Sequence, residues 1–203
     1  MAKWHGYGRC KTRLSKDIGK TNSAKIQSEM TKHTISVARP LEEKGLIDIS
    51  IAISGLGLKH SRRFSEELGI KKFNLQGRGC LGEKMKRQIL INKKYCFHNK
   101  IRNIIFIGTD LPDLCHLDII NTIERLKKND LILGPSTDGG YWLIAFSEKI
   151  LSNYLHLPFI NIKWSNENVL QNTIKNLSSL DLRYGFLHKK TDLDTISDIE
   201  NRK

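Results

Sequence analysis

The sequence contains no run of about 18 consecutive apolar residues, and so it predicts no transmembrane helix. Residues 1–6 include no apolar stretch, which argues against a secretory signal peptide. Internal repeats and low-complexity linkers are also missing. A chain of 203 residues with these properties is expected to fold as one domain, residues 1–203, in the cytoplasm.

Cysteine is scarce, and the four that occur are widely spaced: Cys10, Cys80, Cys96 and Cys115. They form no CxxC pair, and none of the seven histidines has metal-ligand spacing with another. The pattern therefore predicts free thiols in a reducing compartment and argues against a structural zinc site.

Acidic residues are outnumbered, with 21 Asp and Glu against 34 Lys and Arg and a formal net charge of +13. The basic residues are scattered, and no long basic tail or aromatic interleaving accompanies them, so nucleic acid is not the favoured partner. Two interpretations remain. One is a composition rich in Ile, Asn and Lys, as AT-rich coding DNA favours, and the other is a small anionic substrate.

Apolar runs bounded by Gly and Pro alternate with segments of helical periodicity. This order predicts βαβ units in a three-layer α/β/α sandwich with a mostly parallel central sheet. Pro40 is expected to end or kink the first helix. The predicted strands are 48–54, 72–75, 103–107, 130–133 and 142–146, the predicted helices are 22–39, 60–68, 82–93, 117–128 and 166–177, and residues 180–203 are expected to hold a short strand and a short helix.

Two predicted strands run directly into acidic residues, and each is a short apolar run of the kind expected for a fully buried strand of a parallel sheet. Strand 103–107 is followed by Asp110 and Asp113, and strand 130–133 is followed by Asp138. Ligands of open α/β sheets bind beyond the carboxyl ends of the strands, so we expect these three acids at one crevice. Carboxylates there suit a divalent cation that holds a phosphorylated substrate. Asp110 and Asp113 are the predicted metal ligands, although Asp113 is also placed to cap the following helix.

Paired glycines follow Asp138 in the segment Asp138-Gly139-Gly140-Tyr141. Glycines permit a positive φ and expose backbone N–H groups beside a ligand. Asp138 is therefore a candidate catalytic residue, as a second metal ligand or a general base, and Gly139, Gly140 and Tyr141 are candidate substrate contacts. The alternative is a tight turn between two strands that favours Asp for its turn chemistry.

A glycine-punctuated basic loop precedes the first helix, and its candidate phosphate contacts are Gly8, Arg9, Lys11, Thr12 and Arg13. It is not a Walker A loop, because a cysteine stands where that motif has glycine before Lys-Thr. The alternative is a solvated basic turn. Only three residues are available for a strand before Trp4, so either that strand is vestigial or the reading frame begins at an internal Met.

Weaker signals point to four further substrate contacts. Gly82 and Glu83 lie in a glycine-rich entry to a helix that could meet an anion or a base. Trp164 is a candidate wall of an acceptor pocket or a packed residue beside a helix cap. Asp192 belongs to Asp192-Leu193-Asp194-Thr195, in which two acids share one side of an extended stretch, with a surface turn as the alternative.

Taken in order, these blocks resemble a family of small bacterial glycosyltransferase-like proteins with the nucleotide-diphospho-sugar transferase (GT-A) fold, some members of which are named arsenosugar-biosynthesis glycosyltransferases. The sequence departs from the family at Cys80, Lys84 and Asn166, where an acid, an Arg and a Thr are usual. The stretches that carry the resemblance are residues 8–14, 79–85, 108–114, 134–141, 164–165 and 192–195.

The resemblance implies a nucleoside diphosphate sugar donor, a small acceptor and Mg²⁺ or Mn²⁺. It implies that Asp110 binds the metal, that Lys11 and Arg13 contact the diphosphate, and that Asp138 is the acceptor-side acid. Two alternatives stay open. The Lys-x-Arg-Leu loop and Asp-Gly-Gly turn are similar to those of cofactor guanylyltransferases, which are nucleotidyltransferases, and the short N-terminus is compatible with a non-catalytic relative.

Overall fold

The computed structural model describes residues 1–95, 103–178 and 180–200, so Cys96 lies outside the described residues. Helices and strands alternate along most of the chain, as the sequence predicts. The strands are β1 Ala2–Lys3, β2 Ser50–Ser54, β3 Lys72–Leu75, β4 Asn103–Ile107, β5 Leu131–Pro135, β6 Tyr141–Ser147 and β7 Tyr184–Phe186. The helices are α1 Leu14–Glu43, α2 Leu58–Glu67, α3 Leu81–Tyr95, α4 His116–Leu126, α5 Glu148–Asn153, α6 Val169–Ser178 and α7 Ile196–Glu200, with a short 3₁₀ helix at Leu157–Phe159.

The described residues form two compact units, each built from separate stretches of the chain. Unit 1 comprises residues 1–76, 108–116 and 191–200, and unit 2 comprises residues 77–95, 103–107, 117–178 and 180–190. The single domain expected from chain length stays a prediction.

Unit 1 contains a parallel sheet in the order β1-β2-β3. β1 has only two residues, but it pairs with β2 and the ladder continues through a 2.9 Å bond from Trp4 N to Ser54 O. The buried Gln76 amide adds bonds of 3.0 Å to the carbonyls of Ala2 and Ala52. The first strand is therefore short, as expected, and it is fixed to its neighbour. The apolar core of unit 1 includes Ala2, Ile35, Ile51, Ile53, Phe64 and Ile70.

Helix α1 extends beyond the predicted range of 22–39 at both ends. It begins at Leu14, and the irregularity in it lies at Gly19, whose φ of 81° and ψ of 160° are not helical. Pro40 does not end the helix, which continues to Glu43. Pro40 removes one backbone donor in the last turn, where the buried Leu41 still anchors the chain to the core.

Unit 2 contains a four-stranded sheet in the order β4-β6-β5-β7. β7 runs parallel to β5, but β6 is antiparallel to both β4 and β5. The expectation that strand 103–107 is a fully buried parallel strand is therefore wrong, because β4 is half-buried and pairs with β6. Three of the five strand pairings in the described chain are parallel, so the α/β prediction with a mostly parallel arrangement is confirmed.

β5 and β6 supply the centre of the unit 2 core. Leu131, Ile132 and Leu133 are fully buried, so both faces of β5 are covered. Phe146 of β6 packs against Phe159 at a ring-centroid distance of 5.7 Å. Among the helices of the described residues, none has the length and apolar character needed to cross a membrane.

Candidate functional site

The basic loop before α1 folds back on itself and turns two of its side chains inward. Arg9 N donates to Gly6 O at 2.9 Å, and the Cys10 thiol, which is fully buried, contacts the same carbonyl at 3.7 Å. Gly8 has a φ of 67°, a conformation that glycine adopts without strain. Of the other predicted phosphate contacts, Arg9, Thr12 and Arg13 are exposed. The loop therefore presents cations to solvent from a fixed backbone.

Lys11 differs from the other cations of this loop because its side chain is only 2% exposed. Its Nζ donates to Leu193 O and lies 3.6 Å from Asp194 Oδ1. Its backbone φ of 42° is unusual for a residue with a Cβ. Strained backbone persists where the surroundings hold it, and it is concentrated at functional sites. The geometry thus singles out Lys11 within the predicted loop.

Asp110 lies in the same unit and is electrostatically coupled to this lysine. Burial raises the pKa of the Asp110 carboxyl, the Lys11 ammonium lowers it, and the Asp194 carboxylate raises it again. The backbone also connects the segments, since Leu193 N donates to Asp110 O at 2.9 Å. Three segments that are distant in sequence therefore bring Lys11, Asp110 and Asp194 together. We call these three residues the carboxylate–lysine cluster.

Asp194 is held in place by the start of helix α7. Asp198 Oδ2 accepts bonds from Asp194 N at 2.9 Å, Thr195 N at 2.7 Å and Thr195 Oγ1 at 2.8 Å. The bond to Thr195 N is half of a capping box. The Asp-x-Asp spacing already placed Asp192 and Asp194 on one side of an extended stretch, but only Asp192, which is half-buried, was selected from sequence. The role of Asp194 depends on a lysine about 180 residues away, which local spacing does not show.

The cluster fits a divalent cation in a limited way. Mg²⁺ is commonly bound by one or two carboxylates together with substrate phosphates. Asp110 and Asp194 supply two carboxylates, whereas no group of three or more His, Cys, Asp or Glu side chains in the described chain is arranged to hold a metal. Asp113, the other predicted ligand, is exposed. A cation at this cluster would therefore need phosphate oxygens to complete its coordination.

Asp138 lies in unit 2, in the hairpin turn between β5 and β6. Its Oδ1 accepts a bond from Gly140 N at 3.0 Å and another from the Ser136 hydroxyl. The tight turn considered from sequence is thus present, and one carboxylate oxygen takes part in it. The Asp138 side chain is nevertheless exposed, which leaves the acceptor-side role as a prediction. Because Asp110 and Asp138 belong to different units, the single crevice expected for them also stays a prediction.

Position 139 requires glycine for two reasons, its backbone conformation and the close approach of a neighbouring segment. Its φ is 85°, and a Cβ there would lie 1.9 Å from the backbone carbonyl oxygen of Glu167. Leu170 N also donates to Gly139 O at 3.0 Å. The glycine therefore allows the chain before α6 to approach the hairpin.

We expect Gly139→Ala to reduce the free energy of unfolding by about 3 kcal/mol, since it combines backbone strain with displacement of that segment. The matched control is Gly45→Ala, because Gly45 has a φ of 69° but a Cβ added there would meet no atom within 4 Å. Strain alone at Gly45 should cost about 1 kcal/mol. Urea unfolding of both variants gives the comparison, and equal losses would contradict the close approach at Gly139.

Tyr141 and Trp164 form an aromatic wall in unit 2. Their rings meet edge to face at a centroid distance of 6.4 Å and an angle of 86°. A Cβ at Gly82 would lie 2.5 Å from the Trp164 ring, so the missing side chain of Gly82 makes room for the indole. Burial raises the pKa of the Tyr141 phenol, with the neighbouring Thr173 hydroxyl opposing the shift. At neutral pH this phenol is therefore uncharged and acts through hydrogen bonding and packing.

Glu83 has a local structural partner. Its Oε2 accepts a 2.8 Å bond from Cys80 N, and this bond lowers the pKa of the Glu83 carboxyl. The arrangement is half of a capping box at the start of α3. Of the predicted contacts in unit 2, the structure thus brings Gly82, Tyr141 and Trp164 together and assigns Glu83 a helix-capping bond.

Comparison with solved structures defines the class of fold. A protein of Desulfovibrio desulfuricans G20, provisionally described as a nucleotide-diphospho-sugar transferase, is 25% identical with a TM-score of 0.78, covering 96% of this chain and 80% of that one. A cytidylyltransferase of Leptospira borgpetersenii serovar Hardjo-bovis is 12% identical with a TM-score of 0.58, covering 86% and 74%. A CMP:2-keto-3-deoxy-manno-octonic acid synthetase complexed with CTP is 12% identical with a TM-score of 0.58, covering 99% and 93%.

These similarities confirm the predicted α/β fold of the nucleotide-diphospho-sugar transferase type. The chain belongs to the bacterial family described as "Uncharacterized protein conserved in bacteria (DUF2064)", which it matches over residues 37–166. No curated protein is a significant match to the sequence.

Proposed function

We propose that the protein transfers a sugar from a nucleoside diphosphate sugar to a small acceptor, with a divalent cation as cofactor. The observation that carries this proposal is the carboxylate–lysine cluster beside the loop that exposes Arg9 and Arg13. Two carboxylates suit a cation, and the exposed guanidinium groups suit a diphosphate. The similarity to a nucleotide-diphospho-sugar transferase at 25% identity supports the choice of donor.

In this proposal, the residues of each unit have a distinct task. Asp110 and Asp194 would hold Mg²⁺ or Mn²⁺, which when bound neutralises charge on the diphosphate leaving group. Arg9 and Arg13 would bind and orient the diphosphate by charge-assisted hydrogen bonds. Asp138 would accept the proton of the acceptor hydroxyl as a general base.

The aromatic wall of Tyr141 and Trp164 supports an acceptor role for unit 2. Sugar-like acceptors have apolar ring faces that pack on aromatic side chains. Gly139 and Gly140 shape the turn that carries Asp138 and thereby fix its position. The acceptors tested should include precursors of arsenosugars, since the sequence resembles transferases named for that pathway.

A second candidate function is nucleotidyl transfer from a nucleoside triphosphate. It is favoured by the match to the CTP-bound synthetase, which extends over 99% of this chain. The non-catalytic hypothesis depends on a missing first strand, whereas β1 is short but paired. The paired first strand therefore weakens the non-catalytic hypothesis.

Product analysis distinguishes the two catalytic functions. Sugar transfer releases a nucleoside diphosphate from a sugar nucleotide, whereas nucleotidyl transfer releases pyrophosphate from a nucleoside triphosphate. A thermal-shift panel of nucleoside diphosphate sugars with Mn²⁺ selects the donor, because a ligand at 100 times its Kd stabilises the fold by about 2.7 kcal/mol. Pyrophosphate release without any nucleoside diphosphate would replace the first proposal with the second, and no stabilisation by any donor would contradict sugar transfer.

A further inference from the structure

The Lys11 ammonium is already bound to groups that a metal cofactor would need. It contacts Asp194 Oδ1 at 3.6 Å and donates to Leu193 O, and its charge lowers the pKa of the Asp110 carboxyl. The Lys11 ammonium therefore faces two carboxylates, and the Met1 amino group also lowers the pKa of Asp110. In the absence of a divalent cation, the Lys11 ammonium offsets part of the mutual repulsion between the two carboxylates.

We propose that Lys11 is a built-in substitute for the divalent cation, and that it releases Asp194 when the cation and the donor diphosphate bind together. This inference rests on the proposed function, because the donor supplies the anion to which Lys11 would turn. Lys11 is thereby a positioning residue in the metal-free protein and a diphosphate ligand in the loaded one.

The exposure and charge of Lys11 and Asp194 explain why a divalent cation can replace the Lys11 ammonium at Asp194. The Asp194 side chain is 53% exposed, so a cation can reach it from solvent, whereas the Lys11 side chain is 2% exposed and reaches it from within the fold. Both cations require the same carboxylate, and a dication beside an ammonium is repelled by it. Lysine carries its charge on a flexible four-carbon stem, which allows the ammonium to change partners without movement of the backbone.

The exchange predicts an order of events. A divalent cation that arrives alone must displace an ammonium that then has no anion nearby, so binding is weak. When the donor arrives with the cation, the diphosphate accepts both the released ammonium and the metal. The protein should therefore bind Mn²⁺ more tightly in the presence of the donor than in its absence.

The competition between the Lys11 ammonium and the divalent cation can be tested without nucleotide. The electron paramagnetic resonance signal of free Mn²⁺ measures how much Mn²⁺ the protein binds. Lys11→Met should bind Mn²⁺ about tenfold more tightly than wild type, because the competing ammonium is gone. The matched control is Lys16→Met, which removes the same charge from an exposed position in the same unit. Equal Mn²⁺ affinity in the two variants would overturn the proposal, and so would failure of all forms to bind Mn²⁺.

Reductive methylation of the wild-type protein tests, without a substitution, whether Lys11 is released from Asp194 when the cation binds. Lys11 should be poorly labelled in the metal-free protein and more strongly labelled after Mn²⁺ is added in excess, as quantified by mass spectrometry. Addition of the donor should protect it again. Unchanged labelling of Lys11 with Mn²⁺ would contradict the exchange, whereas loss of donor binding with the Mn²⁺ response intact would contradict only the proposed function.

Discussion

Asp110→Asn is expected to abolish metal-dependent donor binding while leaving the protein folded. The substitution removes one of the two carboxylates in the carboxylate–lysine cluster, and the amide that replaces it has no charge to hold a dication. We expect donor affinity in the presence of Mn²⁺ to fall about 100-fold, as loss of a metal-orienting group commonly causes. Isothermal titration calorimetry with the donor selected by thermal shift measures this effect.

The same variant should be more stable than wild type at neutral pH. Burial raises the pKa of the Asp110 carboxyl in the folded protein. A group with a raised folded-state pKa contributes stability below its unfolded pKa, and this contribution is lost as the pH rises through the folded value. The folded state therefore loses stability as the pH rises above the unfolded pKa of Asp110, and Asn removes that cost. Weaker donor binding with a lower melting temperature would indicate general damage rather than loss of a ligand.

Two neighbouring acids make the test specific. Asp194→Asn should reproduce the loss of metal-dependent binding, since Asp194 is the second carboxylate of the cluster. Asp113→Asn should leave binding close to that of wild type, because its side chain is exposed. If Asp113→Asn instead abolishes binding and Asp194→Asn does not, the metal ligands are the pair predicted from sequence.

The sequence predicted the limits of helices and strands better than it predicted which strands pair with one another. Strand 103–107 and the helix after it are found close to their expected limits, because apolar runs and helical periodicity are local properties. The antiparallel pairing of β4 with β6 is not local, and it was missed. Gly19 rather than Pro40 marks the irregularity of α1, because glycine tolerates many backbone conformations and its presence alone does not show where the backbone leaves the helix.

In the candidate site, too, residues were recognised from local sequence, whereas their burial and distant contacts were not. The loop that carries Lys11 and the acid at position 110 were both recognised from their sequence context, since Gly-rich basic loops and acids after strands have known uses. What the sequence did not reveal is that Lys11 is buried while Arg13 is exposed. Likewise, Gly82 was predicted from its Gly-rich segment, whereas the space above it is filled by Trp164, a residue distant in sequence.

A buried ion pair in unit 2 joins Lys190 and Asp118, and breaking it is expected to cause the largest loss of stability. Their Nζ and Oδ2 atoms are 3.0 Å apart, and both side chains are only 12% exposed. Lys190 Nζ also lies 5.5 Å from the centre of the Trp142 ring. Its backbone joins the end of β5, since Lys190 N donates to Pro135 O at 3.0 Å. Lys190 directly precedes residues 191–195 in sequence, the segment that carries Asp194.

Lys190→Met should lower the free energy of unfolding by about 3 kcal/mol or more, because it leaves a carboxylate in a buried position without this partner. The matched control is Lys127→Met, which removes the partner of Glu124 from a pair with a 2.6 Å contact and side chains 63% and 58% exposed. Exposed pairs contribute about 0–1 kcal/mol, so little change is expected there. Urea unfolding at pH 7 measures both.

The double variant Lys190→Met with Asp118→Leu separates the cost of the remaining buried charge from the value of the pair itself. Replacing both partners with apolar groups removes the buried charge, so the double variant should recover most of the stability lost in Lys190→Met. A double variant less stable than Lys190→Met would show that each side chain contributes through its other contacts. For Lys190, these would be the Trp142 ring and the segment that leads to Asp194.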